Sequence, residues 1–405
     1  MNTVKKRTIY LVFGVFTMLF SGILYAWSIL KVPFKEVFGW SDSLLALNFT
    51  ATMCFFCLGA FFGSLLCKRF GVRSSLILSG ILVGAGFAVT ALLKENTPYL
   101  LFLSYAVMAG SGIGICYNVV VSTVCAWYPD KKGFCSGCLM MGFGISTLLL
   151  GNIIDLLFRA EGVGVQNTYF IVAGVLSAVI VAAAFLLKRP PEGTVFPPPN
   201  LRKAAQKEAF ETRDFTTREM LRSFTFWRAF LLMTLITAVG NTVISFARDL
   251  MLSVAASASL ATTLVGVLAV FNGIGRVVTG IVYDGLGRRT TMLLANIVTI
   301  IAAALTLIAV QCSSLWLCIA GLCLTGISYG SCPTLTSAFS AGFYGQKHFA
   351  VNYSLTNFNL IFASFIATFA NTLLISSGGF TLPFILLLAL AVVALGINFT
   401  IKKPE

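Results

Sequence analysis

The chain has 405 residues, of which 58% are hydrophobic and only 10% are charged. This composition excludes a soluble globular protein, because a typical soluble domain has about 25% charged residues and uses them to cover its surface. The net charge of +14 does not indicate a nucleic-acid partner, because the basic residues follow a pattern typical of membrane topology, described below.

Apolar stretches long enough to cross a bilayer, about 20 residues for a helix, recur along the chain. The first follows a basic N-terminus and is too long for the core of a signal peptide, so we expect it to be retained. In chain order the twelve predicted spans are 8–30, 43–66, 75–93, 98–127, 134–158, 168–187, 228–247, 261–283, 290–311, 314–341, 349–375 and 380–401. We predict an all-α membrane protein, because a transmembrane barrel would show shorter segments of alternating hydrophobicity.

A single long polar segment, residues 188–227, separates six spans from six. Three consecutive prolines starting at Pro197 favour an extended start. Further on, Thr216 and Glu219 form a capping-box pattern, which predicts a short amphipathic helix on the cytoplasmic surface. The predicted domains are an N-terminal six-helix bundle over 1–187, a cytoplasmic linker over 188–227 and a C-terminal six-helix bundle over 228–405.

The basic residues predict the orientation of the chain in the membrane. The N-terminus, the even-numbered loops and the C-terminus hold 22 of the 28 lysines and arginines, whereas the odd-numbered loops hold five. Since positive charge accumulates on the cytoplasmic side, both termini are predicted to be cytoplasmic. We expect a multi-pass protein of the cell (plasma) membrane whose cytoplasmic face contacts anionic lipid.

An internal repeat supports the division into halves. The segment Ser64–Arg73 follows the second span and resembles Gly280–Arg289, which follows the eighth. Gly71 aligns with Gly287 at a separation of 216 residues. Two related six-helix halves with pseudo-symmetry are the expected architecture of one large class of secondary transporters.

The second copy of this repeat resembles the loop signature of the major facilitator superfamily, a glycine and three residues followed by Asp-Arg-x-Gly-Arg-Arg/Lys. Asp284 and Gly287 match, whereas Gly285 replaces the usual arginine. In the first copy Lys68 stands where the aspartate is usual, so the resemblance predicts a weaker latch on the N-terminal side. The residues that the resemblance implies for this conformational latch are Asp284, Arg288, Arg289, Arg69 and Arg73.

Within that superfamily the chain resembles the oxalate/formate antiporter family, through short runs whose order and spacing match over most of the chain. The runs are Gly22–Ser28, Gly110–Tyr117, Trp127–Gly133, Gly142–Gly144, Phe215–Leu221, Phe226–Trp227, Asn272–Arg276, Tyr329–Gly330 and Asn352–Tyr353. The resemblance implies the major facilitator fold and a secondary transporter of small organic anions. The chain also resembles the monocarboxylate transporters.

Arg276 is the most informative residue of the predicted membrane interior. It lies eight residues before Asp284, a rise of about 12 Å along a helix, which places it near mid-membrane. An arginine there costs at least ~2.5 kcal/mol, so it should face a cavity or a partner. No acidic residue occurs at comparable depth in any predicted span. We predict that its partner is a substrate carboxylate; the alternatives are bonds to helix carbonyls and snorkelling to the interface.

The resemblance suggests further substrate contacts. In the oxalate carrier of that family, an arginine of the eighth helix and a lysine of the eleventh bind a dicarboxylate, and Arg276 matches the first. No lysine occurs between Lys347 and Lys402, and a single fixed charge favours a monoanion. Further candidate substrate-binding residues are Tyr25, Tyr117, Tyr329, Asn357, Asn359 and Asn272. Helix packing is the alternative role for these tyrosines and asparagines.

Asn272 bears on proton coupling. The monocarboxylate transporters place an aspartate four residues before the arginine of the eighth helix, and here that position is Asn272, which does not titrate. We therefore expect exchange or facilitated diffusion of a monocarboxylate resembling formate, lactate or pyruvate, by alternating access. The alternatives are an antiporter of oxalate or another dicarboxylate, a drug or sugar facilitator, and a membrane carboxylate sensor. We expect no catalytic residues, no metal and no cofactor, and we expect a monomer.

Overall fold

Every regular element in the described part of the chain is a helix. The computed structural model describes residues 3–191, 193–194, 196 and 213–402, so the three prolines from Pro197 lie outside the described residues. The main helices are α1 (Thr3–Ser21), α2 (Asp42–Ala91), α3 (Ser111–Cys125), α4 (Lys132–Arg159), α5 (Gly164–Leu186), α6 (Thr217–Arg222), α7 (Phe224–Ser253), α8 (Ala258–Leu286), α9 (Arg288–Gln311), α10 (Leu315–Tyr344), α11 (Phe349–Thr356), α12 (Asn359–Ser377) and α13 (Thr381–Thr400). Other elements are a 3₁₀ helix (Gly22–Ala26), a π-helix (Phe102–Gly110) and two short helices, Trp27–Leu30 and Val32–Glu36.

Eleven helices in the described residues are long and apolar enough to cross a membrane. The predicted spans 43–66 and 75–93 both lie within the longest of them, Ser43–Ala91, on either side of a break at Gly71. Each of the other ten predicted spans coincides with one apolar helical stretch, although three of these stretches consist of more than one helical element. The prediction of an all-α multi-pass protein is therefore confirmed, and the two spans within Ser43–Ala91 are separated by the non-helical backbone of Gly71.

Gly71 and Gly287 adopt nearly the same backbone conformation. Their φ and ψ angles are 82° and 174° for Gly71, and 78° and 175° for Gly287. Side chains are essentially absent from this region of φ and ψ, which glycine alone adopts without strain. The shared conformation is expected if the two loops are equivalent positions of an internal repeat.

The chain divides into two compact units. The first comprises Met1–Pro129 and Gly142–Pro197, and the second comprises Asp130–Met141 and Pro198–Glu405. Helix α4 therefore begins in the second unit and ends in the first, a feature that the sequence did not predict. The predicted domain boundaries at residues 187 and 228 stay predictions.

The first unit is organised around α3. All of its residues except Ser111 are buried. Glycines make this possible, because a Cβ at Gly59 or Gly114 would collide with backbone atoms of Ser111 or Phe56, respectively. Helices α2 and α3 are thus in direct backbone contact, as small residues allow in membrane proteins.

Two apolar clusters lie at opposite ends of α7 and α10 in the second unit. One cluster includes Phe246, Leu250, Leu264, Leu322 and Phe384, and the other includes Phe226, Met233, Leu335, Phe339 and Tyr344. Between these ends, α10 carries a run of buried polar side chains, namely Thr325, Ser328, Tyr329 and Ser331. The apolar ends therefore enclose a polar middle section, and the candidate site lies in this section.

The predicted capping box at the start of α6 is confirmed. The Thr216 side chain accepts a hydrogen bond from the Glu219 backbone N–H, and Glu219 Oε2 accepts one from the Thr216 backbone N–H at 2.7 Å. This second bond, together with those from the Thr216 hydroxyl and from Arg213, lowers the pKa of Glu219 below its ordinary value. The short predicted helix is present as the six residues Thr217–Arg222.

The segment before α6 is bonded to the turn that follows α10. The Asp214 carboxylate accepts hydrogen bonds from the backbone N–H groups of Gln346 at 2.9 Å and Lys347 at 3.1 Å. The Phe215 backbone N–H donates to the Tyr344 carbonyl at 3.0 Å. The end of the linker is therefore attached to the second unit by the turn between α10 and α11.

We expect Gly345→Ala to destabilise this attachment. Gly345 has φ 78° and ψ −177°, a conformation that costs a residue with a side chain ~1–3 kcal/mol. A Cβ there would also collide with Oδ1 of Asp214. The expected result is a lower Tm in a thermal unfolding assay. The matched control, Gly174→Ala, places its Cβ in open space in α5 and should not lower the Tm; equal Tm values for the two variants would contradict the argument.

Candidate functional site

Arg276 lies in α8 at a point where neighbouring backbones approach closely on two sides. The residue is 2% exposed. On one side, a Cβ at Gly275 would lie 2.5 Å from the carbonyl oxygen of Ile327 in α10. On the other side, a Cβ at Gly137 of α4 would lie 2.5 Å from the carbonyl oxygen of Arg276 itself. The glycines let three helices meet at the arginine, and this packing buries it.

Two hydrogen bonds orient the guanidinium of Arg276. Its Nε donates to Oδ1 of Asn272, one turn earlier in α8, at 3.0 Å. Its Nη1 donates to the backbone carbonyl oxygen of Met140 in α4. Within the described residues, Nη2 has no hydrogen-bond acceptor. The planar group is thus held in place with one nitrogen uncommitted, which suits a carboxylate ligand.

The charge of Arg276 is not neutralised by any carboxylate in the described ranges. An amide oxygen and a carbonyl oxygen satisfy hydrogen bonds, but they do not cancel a full positive charge. Of the two alternatives for this arginine, bonding to a helix carbonyl is realised at Nη1. Snorkelling is not realised, because the residue is buried. The site therefore has an excess positive charge in the polar middle section of the second unit.

Helix α10 forms one wall beside Arg276. The Thr334 hydroxyl donates to the Arg276 carbonyl at 3.1 Å, and Gly330 packs directly on the backbone of Asn272. The predicted site residue Tyr329 is buried next to Gly330, with its ring in the space that Gly240 leaves in α7. The structure thus brings Arg276 and Asn272 together by a hydrogen bond, and places Tyr329 on the helix packed against them.

A helix break holds the other two predicted asparagines. The predicted span 349–375 is interrupted, because α11 ends at Thr356 and α12 begins at Asn359. Asn357 and Asn359 flank this break and are each 2% exposed. The backbone stays hydrogen-bonded through the interruption, because the Asn357 N–H donates to the Tyr353 carbonyl at 3.0 Å and the Leu360 N–H donates to the Asn357 carbonyl at 3.1 Å. The two asparagines were a signal for the break, because asparagine competes with helical backbone bonding.

Tyr25 and Tyr117 are brought together in the first unit. Tyr25 lies in the 3₁₀ helix that follows α1, and Tyr117 lies in α3. Both rings contact Phe143 edge-on, with centroid distances of 5.4 Å for Tyr25 and 5.1 Å for Tyr117. These contacts agree with the packing role that was the alternative for both tyrosines, and their substrate role stays a prediction.

Asp284 caps the beginning of α4. Its carboxylate accepts hydrogen bonds from the backbone N–H groups of Gly133 at 2.8 Å and Phe134 at 2.7 Å. A carboxylate is favourable there, because the first backbone N–H groups of a helix lack partners and carry partial positive charge. The contact fixes α8 to the first turn of α4 within the second unit, and the latch role of Asp284 stays a prediction.

Three of the four arginines assigned to the latch stack over aromatic rings, and the fourth, Arg289, is exposed. The distances from guanidinium carbon to ring centroid are 4.3 Å for Arg288 over Phe343, 4.2 Å for Arg73 over Phe185 and 5.3 Å for Arg69 over Phe70. Stacking of this kind is a favourable cation–π contact. It does not test whether these residues act in a latch, which stays a prediction.

Met140 is the part of the site that the sequence did not predict. Its carbonyl oxygen binds Arg276, although its own side chain gives no reason to expect this. Gly133 and Gly137, four residues apart, were a signal for close helix packing. They did not indicate which helix would pack there, and the structure identifies it as α8 through Gly280 and Arg276.

The arrangement is suited to bind an anion. The described residues contain no group of three or more His, Cys, Asp or Glu side chains that could hold a metal ion. What they provide is a buried guanidinium with fixed orientation, the adjacent amide of Asn272 and the Thr334 hydroxyl on α10. A carboxylate is the ligand that matches a planar, doubly donating cation.

Comparison with protein families gives two matches. The family described as Major Facilitator Superfamily matches residues 9–248, and the family described as Sugar (and other) transporter matches residues 202–403. Both descriptions are of transporters and not of enzymes. The two matches together span nearly the whole chain.

Comparison with individual proteins agrees with the family matches. The chain is 28% identical over 352 residues to the oxalate:formate antiporter of Oxalobacter formigenes, covering 86% of this chain and 80% of that protein. It is 25% identical over 279 residues to monocarboxylate transporter 12 of Rattus norvegicus, covering 64% and 56%. Its fold matches the fucose:proton symporter FucP of E. coli with a TM-score of 0.69 at 13% identity, covering 98% and 100%. These findings confirm the predicted fold and the predicted family resemblance.

Proposed function

This chain belongs to the major facilitator superfamily and is a secondary transporter, and we propose that its substrates are small organic anions, most of all monocarboxylates. The observation that carries the proposal is the buried guanidinium of Arg276, which no carboxylate in the described residues neutralises. An uncompensated buried charge is costly, and a substrate anion would remove that cost each time it binds.

The charge of the site favours a monoanion over a dianion. Arg276 supplies one positive charge, and no lysine occurs between Lys347 and Lys402 to supply a second from α11 or α12. A monocarboxylate makes the occupied site neutral, whereas a dicarboxylate leaves one negative charge buried. Formate, lactate and pyruvate are the kinds of acid that fit this balance.

A dicarboxylate such as oxalate is the second candidate substrate. The similarity to the oxalate:formate antiporter of Oxalobacter formigenes favours it. The side-chain amides of Asn357 and Asn359 are the groups that would then have to stabilise the second carboxylate.

We expect exchange in preference to net transport. In alternating access the site must pass through an occluded state, and the bare guanidinium raises the free energy of that state when no substrate is bound. A bound carboxylate neutralises the charge and lowers the barrier. Asn272, which accepts the Arg276 Nε–H at 3.0 Å, does not titrate, so the site lacks the acid that proton symport would need at this position.

The remaining roles follow from the same proposal. Tyr25, Tyr117 and Tyr329 line the substrate pathway, Asn357 and Asn359 donate hydrogen bonds to the substrate, and Asn272 positions the arginine. The latch consists of Asp284, Arg288, Arg289, Arg69 and Arg73. The protein acts as a monomer in the plasma membrane, with both termini in the cytoplasm and anionic lipid at that face.

Counterflow in proteoliposomes tests this function. Vesicles loaded with unlabelled formate, lactate, pyruvate or oxalate are diluted into the same labelled acid, with glucose as a control solute. The proposal predicts labelled uptake that rises several-fold over empty vesicles for a monocarboxylate and not for glucose. Absence of counterflow with every acid would contradict the proposed substrate class, whereas counterflow with oxalate alone would favour a dicarboxylate substrate.

A further inference from the structure

A groove of about 490 Å³ lies between the first turns of α7 and the last turns of α13. On the α7 side its wall consists of Phe224, Trp227 and Leu231, and Phe224 and Trp227 are 80% and 52% exposed. On the α13 side, Gly396 opens the wall, because a Cβ there would meet nothing within 4 Å. The groove is therefore apolar and open along its length.

The exposed tryptophan of the groove has no free hydrogen-bond donor. The indole N–H of Trp227 donates to the Leu221 carbonyl at 2.8 Å, so it is not available to a ligand. The ring face is what remains for contact. Tryptophan in such a position, at the end of a membrane-spanning helix, is typical of the boundary between lipid headgroups and acyl chains.

Positive charge is concentrated at one end of the groove. The Arg228 guanidinium lies in the groove, where its Nη1 donates to the Thr400 carbonyl at 3.0 Å. Lys402 is brought to the start of α7 because its carbonyl accepts the Thr225 hydroxyl at 3.0 Å. Arg222 is exposed just before α7 begins. None of these three basic side chains pairs with a carboxylate of the described residues.

We infer that this groove is a binding site for an anionic phospholipid. One acyl chain lies along Phe224, Trp227, Leu231 and Gly396, and the headgroup phosphate contacts Arg228. The charge complementarity decides between lipids, because a zwitterionic headgroup brings its own cation next to the three basic residues, whereas an anionic headgroup does not. Basic pockets between membrane helices bind anionic headgroups in the same way. The site is separate from Arg276 and does not depend on the substrate assignment.

Native mass spectrometry of the purified full chain tests the inference. The protein is incubated with equal amounts of phosphatidylglycerol and phosphatidylcholine that carry identical acyl chains, and the lipids retained are counted. The wild-type protein should retain phosphatidylglycerol preferentially. Arg228→Gln should reduce this preference about fivefold, the factor that corresponds to the ~1 kcal/mol contributed by one basic residue near an anionic surface.

Two further variants separate this site from general charge attraction. Arg248→Gln removes the same charge from an exposed position at the other end of α7 and should leave the preference unchanged. Gly396→Leu fills the groove without changing the charge and should reduce retention of both lipids. Equal retention of the two lipids by the wild type, or an Arg248→Gln loss as large as that of Arg228→Gln, would overturn the inference. So would full retention of phosphatidylglycerol by Gly396→Leu.

Discussion

Replacement of Arg276 by glutamine is expected to abolish carboxylate transport while leaving the protein folded. The amide nitrogen of glutamine takes the position of the arginine Nε and can still donate to Oδ1 of Asn272, but the side chain is too short to reach the Met140 carbonyl. The substitution removes the charge that attracts the substrate. Loss of one partner of a buried charge pair costs ~2–5 kcal/mol, so the apparent affinity should fall about 30-fold or more. Counterflow of labelled monocarboxylate in proteoliposomes measures this effect.

Arg276→Lys is the matched variant for this test. Lysine keeps the charge but loses the planar pair of donors, so it should retain part of the transport activity. The Tm of Arg276→Gln should stay close to that of the wild type, because removal of an unneutralised buried charge offsets the loss of the bond to the Met140 carbonyl. Wild-type counterflow by Arg276→Gln would refute the assignment of Arg276 as the substrate-binding cation.

Replacement of Asn272 by aspartate should make transport depend on protons. The new carboxylate would take the position of Oδ1, 3.0 Å from Nε of Arg276, and would neutralise the arginine in the absence of substrate. Close charge pairs couple by ~1.5–7 kcal/mol, so the apparent affinity for a monocarboxylate at neutral pH should fall about tenfold or more. Protonation of the aspartate would free the arginine, so an inward proton gradient should stimulate uptake.

The control for this prediction is Asn272→Ala, which removes the hydrogen bond to Arg276 without adding a charge. It should weaken transport and remain insensitive to an imposed pH gradient, as should the wild type. If uptake by Asn272→Asp were as insensitive to the gradient as that of the wild type, then the contact between positions 272 and 276 would not control coupling. Strong acceleration of wild-type uptake by a proton gradient would remove the argument for exchange.

The sequence was sufficient to predict the helices and to single out Arg276, which the structure shows to be buried; its role in substrate binding stays a prediction. The length and composition of the apolar segments predicted the spans, because a segment in lipid must bond its own backbone polar groups and does so as a helix. Arg276 was identifiable because an arginine within a long apolar stretch is costly unless it has a function or a partner. The hydrogen bond from Arg276 to Asn272 also follows from helical spacing, because residues four apart lie on the same face.

Contacts between distant segments were not predictable in this way. The bond from Arg276 to the Met140 carbonyl depends on which helix packs against α8. Because every residue has a backbone carbonyl, the sequence does not indicate which one accepts this bond. The interruption between α11 and α12 was not predicted, because Asn357 and Asn359 were interpreted as substrate or packing residues and not as a signal of irregular helical bonding. The capping of α4 by Asp284 likewise joins residues about 150 positions apart, whose pairing is a property of the packed helices.

Equilibrium binding of a labelled monocarboxylate to the purified protein tests most directly whether Arg276 binds the substrate carboxylate. The measurement compares the wild type with Arg276→Gln at fixed ionic strength, using formate, lactate and pyruvate in turn. We predict saturable binding of at least one of these acids to the wild type and loss of that binding in the variant. Binding of the same acid to both proteins with equal Kd, or no binding of any of them to the wild type, would contradict this prediction.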